Sequence, residues 1–250
     1  MLTYLVLIAA GFAAGALNAV AGGGTFLSFP ALVWIGVPPI VANATATLSA
    51  LPGYVSSAWS FRRDFGSEEG PLSPKAIILI SMAGGLVGAL LLLVTSPEKF
   101  TAIVPWLLLL ATVMFAAGPA LMRVVMKRER AGSAYLFAVV LMLAVAIYGG
   151  YFNGGLGIML LAALGLIGFS DLNSMNGLKN IVSALLSLVS VVTYTVAGLI
   201  DWPSAVPLAV ATAFGGYFGA VFSRRLTNPS ALRIFITVVG SAMTLAFFML

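Results

Sequence analysis

"NAVAGGGTFLSFP" (residues 18–30) and "YFNGGLGIML" (residues 151–160) are the stretches on which the reading of this chain turns. Each sets glycines and an asparagine between long runs of nearly pure hydrocarbon. Glycine lets a backbone leave the helix and approach a ligand closely. Backbone N–H groups freed at the start of the next helix then face that point, and the helix dipole favours an anion there. Inside a bilayer, irregular backbone survives only where protein buries it or where it lines a cavity. Two interruptions at corresponding places in two halves of a chain are the best sequence pointer to a transporter's binding site. The plainer alternative is that such glycines only let helices pack closely. That alternative suits "GGLVG" (84–88) and "GGYFG" (215–219). At 22–24 and 154–157 the accompanying asparagines favour a functional reading.

The surroundings of these stretches set the class. Of 250 residues, 61% are hydrophobic and 8% charged, and the mean hydropathy is +1.12. A soluble domain carries about a quarter charged residues. Apolar segments fall near 3–21, 24–36, 40–60, 76–95, 101–122, 134–152, 156–169, 173–199, 204–222 and 230–250. Most reach the roughly 18 residues that mark a span of a hydrocarbon core about 30 Å thick; the second and seventh are too short and follow the glycines. The expected fold is an all-α polytopic membrane protein with a Gly-broken helical segment, re-entrant or discontinuous, in each half. "ALNAVAGG" contains a small-x-small pattern, but no Lys or Arg precedes it, so the expectation is that it is not a cleaved signal.

Cysteine and histidine are both absent. This excludes disulfides, thiolate and imidazole metal sites, and His-based acid–base chemistry. The expectation is a protein that is not an enzyme and needs no cofactor. The net charge of +5 sits in short basic clusters between apolar segments, where it orients the chain in a bilayer and does not point to nucleic acid.

The chain also repeats itself. "GGLVGALLLLVTSPEKF" (84–100) resembles "GGYFGAVFSRRLTNPSALRIF" (215–235). Upstream, "AGGGTFLSF" followed by "VANATAT" matches "NGGLGIMLL" followed by "SMNGLKN", which pairs Gly24 with Gly157, Asn43 with Asn176 and Thr47 with Asn180. Ordered matches of this kind indicate duplication: a first repeat over 1–125, a basic linker over 126–132 and a second repeat over 133–250. Arg62, Arg63 and Lys75 share one connection, Arg123, Lys127, Arg128 and Arg130 a second, and Arg224 and Arg225 a third. The positive-inside rule makes these cytoplasmic. The second-half counterpart of the Arg62 connection, "AGLIDWPS", has an acid and no base. Opposite charge in equivalent loops predicts inverted repeats, with an odd number of crossings in each and the N-terminus outside.

"LNSMNGLKNI" (172–181) places a lysine among amides within a span. On a helix, Asn173, Asn176, Asn180, Ser183 and Ser187 form one polar stripe, with Lys179 at its edge. A lysine within a span costs roughly 2.5–3.5 kcal/mol. Three arrangements would carry that cost: contact with a ligand or gate, snorkelling of the ammonium to the interface, or pairing with Asp171. In the first half, Asn43 and Thr47 share a face with Ala50 and Tyr54 and bring no charge. Hydrogen-bond donors from both halves and a cation from one describe an anion site. Asp64, Glu68, Glu69, Glu98, Glu129 and Asp201 all fall in connections, so proton coupling would use Asp171, Lys179 or the substrate itself.

The segments "GFAAGALNAVAGGGTFLSFPALVWIGVPPIVANATA" and "YGGYFNGGLGIMLLAALGLIGFSDLNSMNGLKN" resemble the two halves of the sulfite exporter TauE/SafE family, also called the 4-toluene sulfonate uptake permeases. The resemblance spans nearly all of the chain. It implies a multi-pass carrier in a bacterial or archaeal inner membrane, moving sulfite, sulfonates, sulfoacetate or related anions, with protons as the coupling ion. Carried onto this chain, the family's glycine segments fall on Gly22, Gly23, Gly24 and on Gly154, Gly155, Gly157. Its polar helix starts fall on Asn43, Thr45, Thr47 and on Asn176, Lys179, Asn180; Asn18 and Asn153 accompany the glycines as candidate binding residues. Lys179 rests on the physical argument alone. Phe26, Phe29, Tyr151 and Phe152 stand beside the breaks, either flanking an apolar substrate tail or as core. The expected partners are a small anion, the lipid bilayer and protons, with a homodimer as the assembly to test for. A channel for small solutes is the competing reading, and counterflow distinguishes the two.

Overall fold

A computed structural model describes residues 2–20, 22–60, 70–126, 134–223 and 230–249. Among the described residues all regular structure is helical. The first half contributes α1 (Leu2–Val20), α2 (Thr25–Trp34), α3 (Pro39–Ser60), α4 (Pro74–Leu93) and α5 (Pro97–Met126). The second contributes α6 (Ala134–Tyr151), α7 (Leu156–Leu166), α8 (Leu172–Val196), α9 (Trp202–Ser223) and α10 (Ser230–Phe248). Proline at the first position of α3, α4 and α5 supplies a preset φ where no N–H partner is needed. Ser73 accepts the Ala76 N–H at 3.3 Å to cap α4, and the Asp171 carboxylate accepts the Ser174 N–H at 2.7 Å to cap α8.

Among the described residues, five helical segments are long and apolar enough to cross a membrane: Leu2–Ala19, Pro74–Leu93, Pro97–Met114, Asn173–Val196 and Trp202–Val221. With 1.5 Å of rise per residue, α2 and α7, of 10 and 11 residues, reach only about 15–17 Å, half a hydrocarbon core. The outward faces are apolar: Leu79, Leu86, Leu90, Val192, Val210 and Phe214 are exposed. An apolar exterior around a core that is itself largely apolar fits lipid as the solvent. The chain is a multi-pass membrane protein.

Glycine contacts fix how the helices lie. A Cβ on Gly11 would meet Ala211, one on Gly15 would meet Thr212, and one on Gly219 would meet Ala16, so α1 and α9 run side by side in the same direction. The Asp201 N–H donates to Thr45 Oγ1 at 3.0 Å, Ser49 Oγ reaches Ala205 O at 3.3 Å and Ser57 Oγ reaches Gly216 O at 3.3 Å, which gives α3 that direction too. In the same way Gly84 meets Ala146 and Gly88 meets Ile147 and Tyr151, so α4 and α6 are parallel; Gly85 meets Leu186 of α8, and Leu72 and Ile77 share a core cluster with Phe169, Met175 and Leu178. The glycines at 84–88 and 215–219 thus sit at helix crossings, as the packing reading expects.

Two layers follow, α1–α3–α9 and α4–α6–α8, and within each layer the helices share a direction. Because α1 ends beside Ala220 while α3 begins near Asp201, the intervening α2 carries the chain back toward the level where α1 started. Packing partners correspond when the halves are exchanged: α1 with α9 and α6 with α4, α3 with α9 and α8 with α4, α5 with α7 and α10 with α2. The α3–α8 and α5–α10 pairs map onto themselves. The residues expected to form the basic linker (127–132 of 126–132), Arg62, Arg63, Arg224 and Arg225 lie outside the described residues.

Candidate functional site

The two glycine connections meet at the centre. Gly22 has φ 82° and Gly155 φ 75°, a left-handed backbone that costs a side chain about 1–2 kcal/mol. Both precede a short helix, and the sequence match that pairs Gly24 with Gly157 also aligns them. A Cβ on Gly22 would lie 2.4 Å from Gly157 Cα, and one on Gly157 would lie 2.5 Å from Gly22 Cα. The backbones therefore touch with no room for any side chain. Asn18 holds the first connection by accepting the Gly24 N–H at 2.6 Å on Oδ1. Tyr148 holds the second by donating its hydroxyl to Gly154 O at 2.7 Å, a role no local sequence signal announces.

Lys179 is fully buried. Its ammonium donates to Asn18 O at 3.2 Å, to Ala19 O at 3.4 Å and to Asn176 Oδ1 at 3.0 Å. The cation thus sits on the carbonyl end of α1, where the helix dipole is negative. It neither snorkels nor meets Asp171, whose carboxylate caps α8 from an exposed position. The second half holds the equivalent contact with a neutral group. The pairing of Gly24 with Gly157 also pairs Asn18 with Tyr151, and Asn43 Nδ2 donates to Tyr151 O at 2.9 Å. The Tyr194 hydroxyl donates to Gly150 O nearby. One helix end therefore takes an ammonium, the other an amide and a phenol.

The stripe on α8 is buried from Asn180 to Ser187, while Asn173 at its start is exposed. Asn153 links it to α3: the Tyr54 hydroxyl donates to Asn153 Oδ1 at 3.0 Å, and Asn153 Nδ2 donates to Ser187 Oγ at 2.9 Å. Removing one partner of a buried bond costs about 1–3 kcal/mol. Tyr54→Phe is therefore expected to destabilise the protein by about that amount, read as a lower thermal midpoint in detergent, and an unchanged midpoint would mean that water replaces the phenol. Thr47 Oγ1 turns back to Asn43 O at 2.8 Å, and Thr45 faces the start of α9 through Asp201. These two proposed residues bind their own scaffold.

Among the described residues, buried side-chain polar atoms without a partner are Ser81 Oγ on α4, Thr112 Oγ1 on α5, and a larger group made of Asn18 Nδ2, Thr25 Oγ1, Asn43 Oδ1, both amide atoms of Asn180 and Ser183 Oγ. The larger group stands on α1, α2, α3 and α8, the helices that flank the touching connections. Thr25 and Tyr148 escaped the sequence reading, because an isolated threonine or tyrosine in an apolar run carries no periodic signal. Phe26, Phe29 and Phe152 are fully buried, with the Phe29 ring edge-on to Phe152 at 5.6 Å and stacked on Phe247 at 5.5 Å. They are core.

A family model described as "Sulfite exporter TauE/SafE" matches residues 7–247. A "Probable membrane transporter protein" of Haemophilus influenzae is 29% identical over 217 residues, covering 86% of this chain and 83% of that one. The "Probable membrane transporter protein YfcA" of Escherichia coli K12 is 27% identical over 236 residues, covering 92% and 84%. The "Probable membrane transporter protein ORF9" of a Sinorhizobium species is 31% identical over 169 residues, and the match spans 63% of that protein. With a match over nearly its whole length and membrane transporters as its relatives, this chain belongs to the sulfite exporter TauE/SafE family.

Proposed function

We propose that the protein is a secondary carrier of small sulfur-containing or organic anions, of the sulfite and sulfonate class, in a prokaryotic inner membrane. It binds them beside the touching 22–24 and 154–157 connections, against the polar side chains of α1, α2, α3 and α8, and exposes them alternately to the two sides. The observation that carries this reading is the group of buried, unpartnered polar atoms on Asn18, Thr25, Asn180 and Ser183 around those connections. Unpaired buried groups cost about 1–3 kcal/mol each, and a ligand's oxygens would pair the donors. The starts of α2 and α7 at the same connections add N–H groups and favourable dipoles. Lys179 supplies the positive charge, and protons are the proposed coupling ion.

The two halves are proposed to be inverted repeats. Supporting this, each half's packing partners exchange with the other's, and the two layers are antiparallel: Thr45 of α3 meets Asp201, which follows the end of α8. Alternating access is then a rocking of one layer against the other around the fixed connections. Uptake of labelled methanesulfonate into liposomes preloaded with unlabelled solute tests the carrier reading. Counterflow supports a carrier, and its absence with intact flux would make the protein a channel.

Asn180 separates function from stability. Asn180→Leu removes two unpaired amide atoms, so it is expected to raise the thermal midpoint by several degrees, from about 1–3 kcal/mol of relieved desolvation. Counterflow should fall to background in the same variant, since stabilising changes at binding sites cost function. A variant that transports normally would remove Asn180 from the site.

A further inference from the structure

We infer that the site is built for an anion carrying one negative charge, and discriminates against doubly charged oxyanions by charge count alone. The inference rests on the anion-carrier reading and narrows it. Among the described residues, the one buried charged side chain is Lys179. Lys75, Glu98, Lys99 and Asp171 are exposed, and Asp201 is half-buried at the α8–α9 connection. Among the described residues no carboxylate contacts the ammonium; its three acceptors are two carbonyls and an amide oxygen.

The helix ends do not change the sum. Each connection joins the C-terminal end of one helix, worth about −0.5 charge, to the N-terminal end of another, worth about +0.5. At the first connection these are α1 and α2, and at the second α6 and α7. The pairs cancel in both places and leave Lys179 as the uncompensated charge. A monoanion brings the site to neutrality. A dianion leaves one negative charge in a low-dielectric interior, and a neutral solute leaves one positive charge; either is an uncompensated buried charge and is disfavoured. The asymmetry between halves sharpens this. The position equivalent to Lys179 is Ala46, also fully buried, and the helix end it would have met is capped by the neutral Asn43 amide. Duplication placed a cation on one side only, so there is no second lysine to balance a second negative charge.

The test uses three probes of one tetrahedral shape: methanesulfonamide (neutral), methanesulfonate (one charge) and sulfate (two). Each displaces labelled methanesulfonate from the purified full-length protein in nanodiscs. Methanesulfonate is expected to win by about tenfold or more over both others, since 1.4 kcal/mol of residual charge penalty already gives about that factor. Lys179→Met, which removes the charge at similar volume, is expected to reverse the order toward methanesulfonamide. Sulfate binding as tightly as methanesulfonate to the wild type overturns the single-charge inference and leaves the anion carrier standing. Methanesulfonamide binding best to the wild type overturns the anion reading itself. A Lys179→Met protein that keeps the methanesulfonate preference also overturns the inference, because the charge would then not come from Lys179. Should that variant fail to fold, the wild-type order alone decides.

Discussion

Gly22→Val and Gly157→Val are each expected to abolish counterflow and to leave little folded protein in the membrane fraction. At Gly22 two penalties combine. Its φ of 82° is a genuine outlier for a β-branched residue, and its Cβ would stand 2.4 Å from Gly157 Cα, where the obstacle is backbone and cannot rotate aside. At Gly157 the steric term acts alone, with Gly22 Cα 2.5 Å away. Gly36 isolates the other term: its φ is 93°, yet a Cβ there meets nothing within 4 Å. Alanine substitutions therefore rank. Gly36→Ala costs about 1–2 kcal/mol and keeps transport, Gly157→Ala loses most transport, and Gly22→Ala loses the most. Equal behaviour of Gly22→Ala and Gly36→Ala, measured by yield and counterflow, would show that the two connections do not need to touch.

Lys179→Ala is expected to weaken methanesulfonate binding by about tenfold or more, roughly 1.4 kcal/mol, through loss of the positive charge beside the site and not of a direct hydrogen bond, since the three ammonium N–H groups are engaged by Asn18, Ala19 and Asn176. It is also expected to lower the thermal midpoint. The sign of that second effect needs both sides of the balance. Removing an ammonium from a span relieves roughly 2.5–3.5 kcal/mol. Against this stand three charge-assisted bonds, to Asn18 O, Ala19 O and Asn176 Oδ1, each worth about 1.5–3 kcal/mol, and a favourable placement at the end of α1. The loss is larger than the relief. A variant that still folds and binds methanesulfonate normally would confine Lys179 to capping α1.

Lys179 also shows how far a sequence reads into such a site. Its place on the polar side of α8, in register with Asn176 and Asn180, follows from periodicity. That the ammonium crosses to the end of α1, 161 residues away in sequence for Asn18, does not. The stripe was legible; its partners were not.

Hydropathy and glycine placement were enough to read out ten apolar segments, two of them half-length, and the polar face of α8. Each of these is local, since a span needs only consecutive apolar residues and a helix face only a fixed spacing. Packing alone set the contacts that give those residues meaning: Gly22 against Gly157, Asn43 on Tyr151 O, and Lys179 on Asn18 O. Those contacts join halves more than 100 residues apart. They depend on how closely two layers of helices approach, and that is a property of side-chain volumes on both layers together.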